Sequence, residues 1–168
     1  MDKHEALDFL ERYQPLPSDA ELESQMFILD QYDQVREFFL ANPYPECVPL
    51  FLNSFGDGSG FGVYQLVEDV IIQFSKEDVI PCLIKALVSS HMGVRYWCSQ
   101  IAGSFPDKRL IKPLRSLLMD NSNSADIKIM VVYALSRIED EESQKILNDQ
   151  LMVENTESII RVLREVLQ

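Results

Sequence analysis

The chain has 168 residues, of which 46% are hydrophobic and 25% charged, and a formal net charge of −12. That apolar fraction excludes a mainly disordered chain, and three cysteines exclude a disulfide scaffold. The excess of 27 acidic over 15 basic side chains argues against binding nucleic acid, whose phosphates need cations to displace their counterions. The length suits a single domain, residues 1–168, large enough to bury a core.

The opening MDKHEALDFLERY has no apolar h-region, so no secretory signal is expected, and no later run approaches the about 18 apolar residues of a membrane span. Cys47, Cys82 and Cys98 form no CxxC pair and read as free thiols in a reducing cytoplasm. A first helix is expected over residues 3–13, ended by Pro15 and Pro17. Ser18-Asp19-Ala20-Glu21 reads as a capping box with Glu21 at its third helical position. Met26, Phe27, Leu29, Val35, Phe38 and Phe39 then supply one or two helices that pack on the first full helix pair, and Asn42-Pro43-Tyr44-Pro45 closes the segment. Residues 1–46 hold 11 acidic and 3 basic side chains, against 16 and 12 over residues 47–168. Residues 1–45 are therefore read as an atypical helical cap with an acidic surface. Glu21, Glu23, Asp30 and Asp33 are its candidate contacts to a basic partner, which such a field would steer.

Next comes Gly56-Asp57-Gly58-Ser59-Gly60-Phe61-Gly62, with four of the six glycines. It lacks the Lys-Ser/Thr of a phosphate loop, its glycines alternate and so do not fit GxGxxG, and it follows an expected helix rather than a strand. A flexible loop between paired helices is expected, with Asp57 and Ser59 as candidate partner contacts.

From residue 46 onward the chain repeats. Val94, Cys98, Ile101, Ala102 and Phe105 form one helix stripe. The same spacing recurs at Ile127, Val131, Ala134, Leu135 and Ile138, at Val63, Val67, Val70, Ile71 and Phe74, and at Ile159, Leu163, Val166 and Leu167. Between these copies lies a second set of helices with pivotal Leu50, Leu83, Leu114 and Leu147, spaced by 33, 31 and 33 residues. Pro49, Pro81 and Pro113 are expected in the first turns of these helices, where a missing N–H is harmless. The pattern amounts to about four helix pairs, none able to bury its stripe alone.

These residues carry a resemblance. The chain resembles the short HEAT-like repeats named after phycobilisome lyases, whose pattern reads V-R-x-x-A-x-x-A-L-G-x-I-x-D-x-R-A-I-x-x-L. The matching positions are Val94, Arg95, Ile101, Ala102, Gly103, Phe105, Asp107, Arg109, Ile111 and Leu114, with Cys98 in the place of the first alanine. Ile127-Lys128 with Ala134 to Asp140 is a looser copy, and Val63 is followed by Tyr64 where arginine would stand. The resemblance covers residues 46–168 and implies an all-α fold, a right-handed α-α superhelix of about four helix pairs behind the cap, with the second helices lining a concave side.

With the repeat stripe turned inward, the positions two and six residues after each anchor face outward. They form two rows, Gln65, Tyr96, Ile129, Arg161 and Asp69, Gln100, Tyr133, Glu165, with Trp97 beside them. Exposed aromatic and arginine side chains are the types that dominate interface energies, so this ladder is the candidate partner-binding surface. His4 and His91 are isolated, no metal-ligand spacing occurs, and no nucleophile, base and orienter set is present. The expected function is a non-catalytic, cytoplasmic protein-interaction module without cofactor, a monomer or weak dimer that binds another, basic protein and neither nucleic acid nor membrane. One concrete form is a bacterial immunity protein occluding a basic, nuclease-type toxin. The alternatives are a phycobilisome-lyase-like chromophore or cofactor chaperone, as the resemblance suggests, and a HEAT-like DNA glycosylase, which the acidic charge disfavours.

Overall fold

The computed structural model describes residues 1–168. Eleven α-helices and three short 3-10 turns make up the chain, with no strand. The chain divides into two compact units, Met1–Trp97 and Cys98–Gln168.

The first unit holds α1 (Lys3–Arg12), α2 (Asp19–Leu22), α3 (Met26–Ala41), α4 (Cys47–Leu52), α5 (Val67–Ile71), α6 (Lys76–Ala86) and the start of α7 (Met92–Ala102). Asp2 caps α1, accepting from the Glu5 N–H at 3.0 Å while the Glu5 carboxylate accepts from the Asp2 N–H at 2.8 Å. α1 packs on α3 and α4, α3 on α5, and α4 on α6. The core here is aromatic. Tyr32 touches Phe51 and Tyr64 edge-on, each 5.9 Å between ring centroids, Phe39 meets Phe51 at 5.8 Å, and Phe55 meets Tyr64 at 5.6 Å. The Tyr32 hydroxyl shares a 2.7 Å hydrogen bond with Ser54 Oγ, which answers its buried polar end.

The second unit holds the rest of α7, then α8 (Ile111–Met119), α9 (Ala125–Ser136), α10 (Glu141–Val153) and α11 (Glu157–Val166). Its core is aliphatic. α9 packs against α8, α10 and α11 and buries Ile127, Val131, Val132, Ala134 and Leu135, which is why its sequence is apolar on nearly every side. Asp140 caps α10 by accepting from the Glu142 N–H, and its other oxygen takes Lys108 Nζ at 2.7 Å.

The fold is all-α, with helices in the expected order at the four predicted copies; α8/α9 and α10/α11 pack as pairs, whereas α4 packs on α1 and α6 and α5 packs on α3. Three expectations are corrected. Pro81 is not at a helix start: α6 begins at Lys76 behind the Ser75 cap, so the proline stands mid-helix and α6 forfeits one backbone hydrogen bond there. The stripe from Val63 to Phe74 is not one helix but two 3-10 turns, Gly60–Gly62 and Tyr64–Leu66, followed by the short α5. Met26 and Phe27 are not core residues: α3 turns Ile28, Leu29, Tyr32, Val35, Arg36 and Phe39 inward, and that register leaves Phe27 66% exposed.

Candidate protein-interaction site

The glycine-rich segment of the first unit is bonded on every side rather than flexible. α2 begins at Asp19, and its carboxylate reaches the loop 40 residues on. One oxygen accepts from the Ser59 N–H at 2.9 Å and, more weakly, from the Ser59 hydroxyl. The other accepts from the Gly60 N–H at 2.9 Å. The Asp19 N–H in turn donates to the Asp57 carbonyl at 2.9 Å, and the Leu16 N–H to that of Ser54. Two backbone amides aimed at one carboxylate are a strong, charge-assisted clamp.

α7 closes the loop from the opposite side. Asp57 Oδ1 accepts from the Gly93 N–H at 3.0 Å, and Trp97 Nε1–H donates to the Gly58 carbonyl at 3.0 Å. The Gly56 N–H is held by the Tyr64 hydroxyl, whose pKa burial pushes up to about 12. The Trp97 ring lies against Phe55 and Tyr64, 5.9 and 6.0 Å between centroids. Backbone approaches are close: a Cβ on Gly93 would collide with the Gly56 carbonyl oxygen, which only glycine avoids.

Phe61 stands at the outer end of this knot. Its backbone is left-handed, φ 47° and ψ 33°, a region in which a phenylalanine is a genuine outlier. The residue is 50% exposed. A large apolar side chain in a strained conformation, on a loop fixed by four outside groups, is an arrangement that folding alone does not ask for. Exposed Leu66 and Gln65 follow on the next turn, and Gln65 Nε2 lies 3.8 Å from where a Cβ on Gly62 would be.

The expected contact residues fall into distinct settings. Asp57 and Ser59 are exposed but engaged inside the knot. Trp97 departs from the ladder: it is 7% exposed, with its ring packed and its N–H spent on Gly58. Gln65 and Asp69 are exposed, and Tyr96 is half-buried, edge-on to Trp97 at 5.1 Å. On the cap, Glu21 accepts from the Ser18 N–H and hydroxyl, which hold its carboxyl below the usual range, while Asp33 pairs with the buried Arg36 at 2.6 Å. Glu23 and Asp30 are exposed. In the second unit Gln100, Ile129 and Tyr133 are half-buried, and Arg161 and Glu165 lie exposed together on α11.

Burial pushes the Cys47 thiol up to about 12 and raises Cys98 and Cys82 as well, which disfavours the thiolate form of each. Phe61 and Asp19 are the residues that sequence reasoning passes over. The available signal is an aromatic between two glycines, a place where an ordinary turn would put a polar residue.

A family model for HEAT repeats matches residues 80–168. Among curated proteins none matches the chain. With paired helices at the expected spacing and the family matched over more than half its length, the chain belongs to the HEAT repeats family.

Proposed function

We propose that the chain is a non-catalytic protein-interaction module whose partner is a basic protein, and that its concrete form is an immunity protein occluding a nuclease-type toxin in the cytoplasm. HEAT repeats generally mediate protein–protein interaction and are typically scaffolds without catalytic groups. The observation that carries the reading is Phe61, a half-exposed residue held in strained backbone by the Asp19 clamp. It sits in the unit that bears most of the charge. Residues 1–97 hold 16 acidic and 6 basic side chains, net −10, against 11 and 9, net −2, over residues 98–168. An acidic field speeds encounter with a basic surface, and a rigid aromatic anchor loses little entropy when it docks. Gln65 and Asp69 beside the loop would extend its contact, and Tyr96, Gln100, Ile129, Tyr133, Arg161 and Glu165 are further candidate contacts. Glu21, Glu23, Asp30 and Asp33 would act through the field.

The test is calorimetric binding to a basic nuclease encoded beside the gene, with a cell-protection assay in parallel. Salt-dependent binding, weakened roughly 30-fold by Phe61→Ala, is expected, the loss of one aromatic hot spot of ~2 kcal/mol. Binding that is indifferent to both salt and Phe61, or protection without complex formation, would overturn the reading.

A further inference from the structure

The stretch from Tyr13 to Ser75 holds ten carboxylates and one cation, Arg36. That cation is buried, 7% exposed, and its charge is met by Asp33 at 2.6 Å and by Glu37 at 3.6 Å. The nearest cations along the chain, Arg12 and Lys76, belong to α1 and α6. The stretch contains α3, α5 and the Phe61 loop, and α3 packs on α5. α2 packs both on α3 and on the Gly60–Gly62 turn that leads towards α5. The N-terminal ends of α3 and α5 therefore lie together, and the two helices run in one direction. The Tyr32 and Tyr64 rings meet edge-on at 5.9 Å and set the alignment. One residue on from each ring stand Asp33 and Gln65, and one turn further Glu37 and Asp69, both exposed and roughly level on neighbouring helices. Apolar residues are uncovered beside them. Leu66 and Ile72, three positions either side of Asp69, are 38% and 53% exposed, and Phe61 precedes them.

We propose that the joined faces of α3 and α5 seat a basic amphipathic helix of the partner protein. Glu37 and Asp69 each take one of its lysines or arginines, and Leu66, Ile72 and Phe61 take its apolar side chains. The charge selects the guest: a surface built from ten carboxylates and one buried, paired cation repels an acidic segment and attracts a basic one. The spacing selects its form. Leu66, Asp69 and Ile72 alternate apolar, acidic and apolar at three-residue steps, which a guest helix meets with apolar residues and cations three or four positions apart. Packed helix axes lie about 8–10 Å apart, so carboxylates on both can grip one guest. Glu37 touches Arg36 with one oxygen, and its side chain is 67% exposed, which leaves it open to a second cation. Asp33 is instead committed to Arg36 and holds the row in place.

This inference rests on the basic-partner reading and separates carboxylates that touch the partner from those that only steer it. The test is an NMR titration of the full, isotope-labelled chain. The probe is a synthetic Lys/Leu peptide with leucines at helical spacing, and its Glu/Leu counterpart is the control. Saturable binding of the Lys/Leu peptide alone is expected, with amide shifts centred on residues 33–40 and 61–73. Two double neutralisations change the net charge equally. Glu37→Gln with Asp69→Asn lowers affinity roughly tenfold at low salt, the loss of two exposed ion pairs. Asp8→Asn with Glu11→Gln, on α1, lowers it less than about twofold, because only the field changes. Asp69→Asn alone, which leaves the Arg36 pairs intact, lowers it about threefold. Ile72→Ser lowers it comparably but leaves the salt dependence unchanged. Circular dichroism confirms the fold of each variant. Equal losses from the two double neutralisations, or shifts centred on α1, would overturn the α3–α5 face. So would binding of the Glu/Leu peptide, or no saturable binding of either. The intact nuclease, titrated against the same variants, tells the two readings apart. Salt-dependent binding that ignores Glu37 and Asp69 overturns the face alone, and absence of salt-dependent binding overturns both.

Discussion

The indole N–H of Trp97 donates to the carbonyl of Gly58 across 3.0 Å, bridging 39 residues of sequence. The bond converts the one tryptophan of the chain from a surface residue into a latch on the glycine loop. Trp97→Phe keeps an aromatic ring against Phe55 and Tyr64 but leaves Gly58 without its donor. The expected loss is ~1–3 kcal/mol of unfolding free energy, read by urea denaturation. Trp97→Ala also empties the ring site, and ~3–5 kcal/mol is expected.

Asp19 clamps the same loop from the cap side. Asp19→Ala removes the acceptor of both the Ser59 and Gly60 amides, and those amides should lose their hydrogen-exchange protection before any others of the unit. Asp19→Asn retains one acceptor oxygen and should recover part of it. Fluorescence gives a second readout, since Trp97 emission moves to longer wavelength if the loop loosens and admits water.

Two glycine-to-alanine changes separate collision from backbone conformation. At Gly93 the new methyl runs into the Gly56 carbonyl, backbone against backbone, and ~3 kcal/mol or more of destabilisation is expected. At Gly62 the nearest foreign atom is 3.8 Å away, so only the left-handed backbone, φ 94°, is resisted. That costs about 1–2 kcal/mol. Thermal or urea midpoints of the two variants should fall in that order.

Phe61 should trade stability against binding. Phe61→Gly relieves a left-handed strain of about 1–2 kcal/mol, offset by about 0.5–1 kcal/mol of added chain entropy in the unfolded state, so stability is unchanged or slightly raised. Phe61→Val puts a β-branched residue in the same backbone and should be less stable than either. Both lose the aromatic anchor. A glycine variant as stable as the parent and much weaker in binding would mark the ring as functional; a destabilised one would mark it as structural.

Several carboxyls are held below their ordinary values: Asp2 by the Glu5 N–H, Glu21 by Ser18, Glu46 by Lys3 and Asp140 by Lys108. A depressed folded pKa means stability that is fully present above the unfolded value and lost as pH falls through the folded one. Unfolding free energy should therefore be flat near neutrality and decline below about pH 4, where free carboxyls titrate. Asp2, Glu21 and Glu46 are exposed and only Asp140 is half-buried, so the decline should be shallow. Denaturant midpoints between neutrality and acid pH measure it.

The helix pairs are legible in the sequence because their apolar positions repeat and burial follows the period: Leu83, Leu114 and Leu147 are all fully buried. Periodicity is local, however, and what fixes the site is not. Nothing near Asp19 announces that its side chain serves amides 40 residues away; its neighbours spell a cap, and it is one as well. The register of α3 misleads because Met26 and Phe27 look like core until the face set by Tyr32 and Phe39 is known. Pro81 suggests a first turn because Ser75, the true cap, lies outside the pattern. Of the ladder, the outward positions can be read, but Trp97 cannot. One position off the row, a side chain turns inward only if something waits for it, and that something is Phe55, Tyr64 and the Gly58 carbonyl.

The meeting of Leu16–Asp19, Ser54–Gly60 and Gly93–Trp97 also bears on how the chain reaches its fold. In a plain repeat array each unit touches only its neighbours, so folding begins anywhere and spreads in steps. Here the loop acquires its bonds only when segments some 40 residues apart on either side have both arrived. Closing such long loops before any bond forms slows the search, and it couples the amides of Ser59, Gly60 and Gly93 to one opening event. Residues 1–97 should therefore fold late and all at once, and exchange as a block rather than fray from the first helix inward.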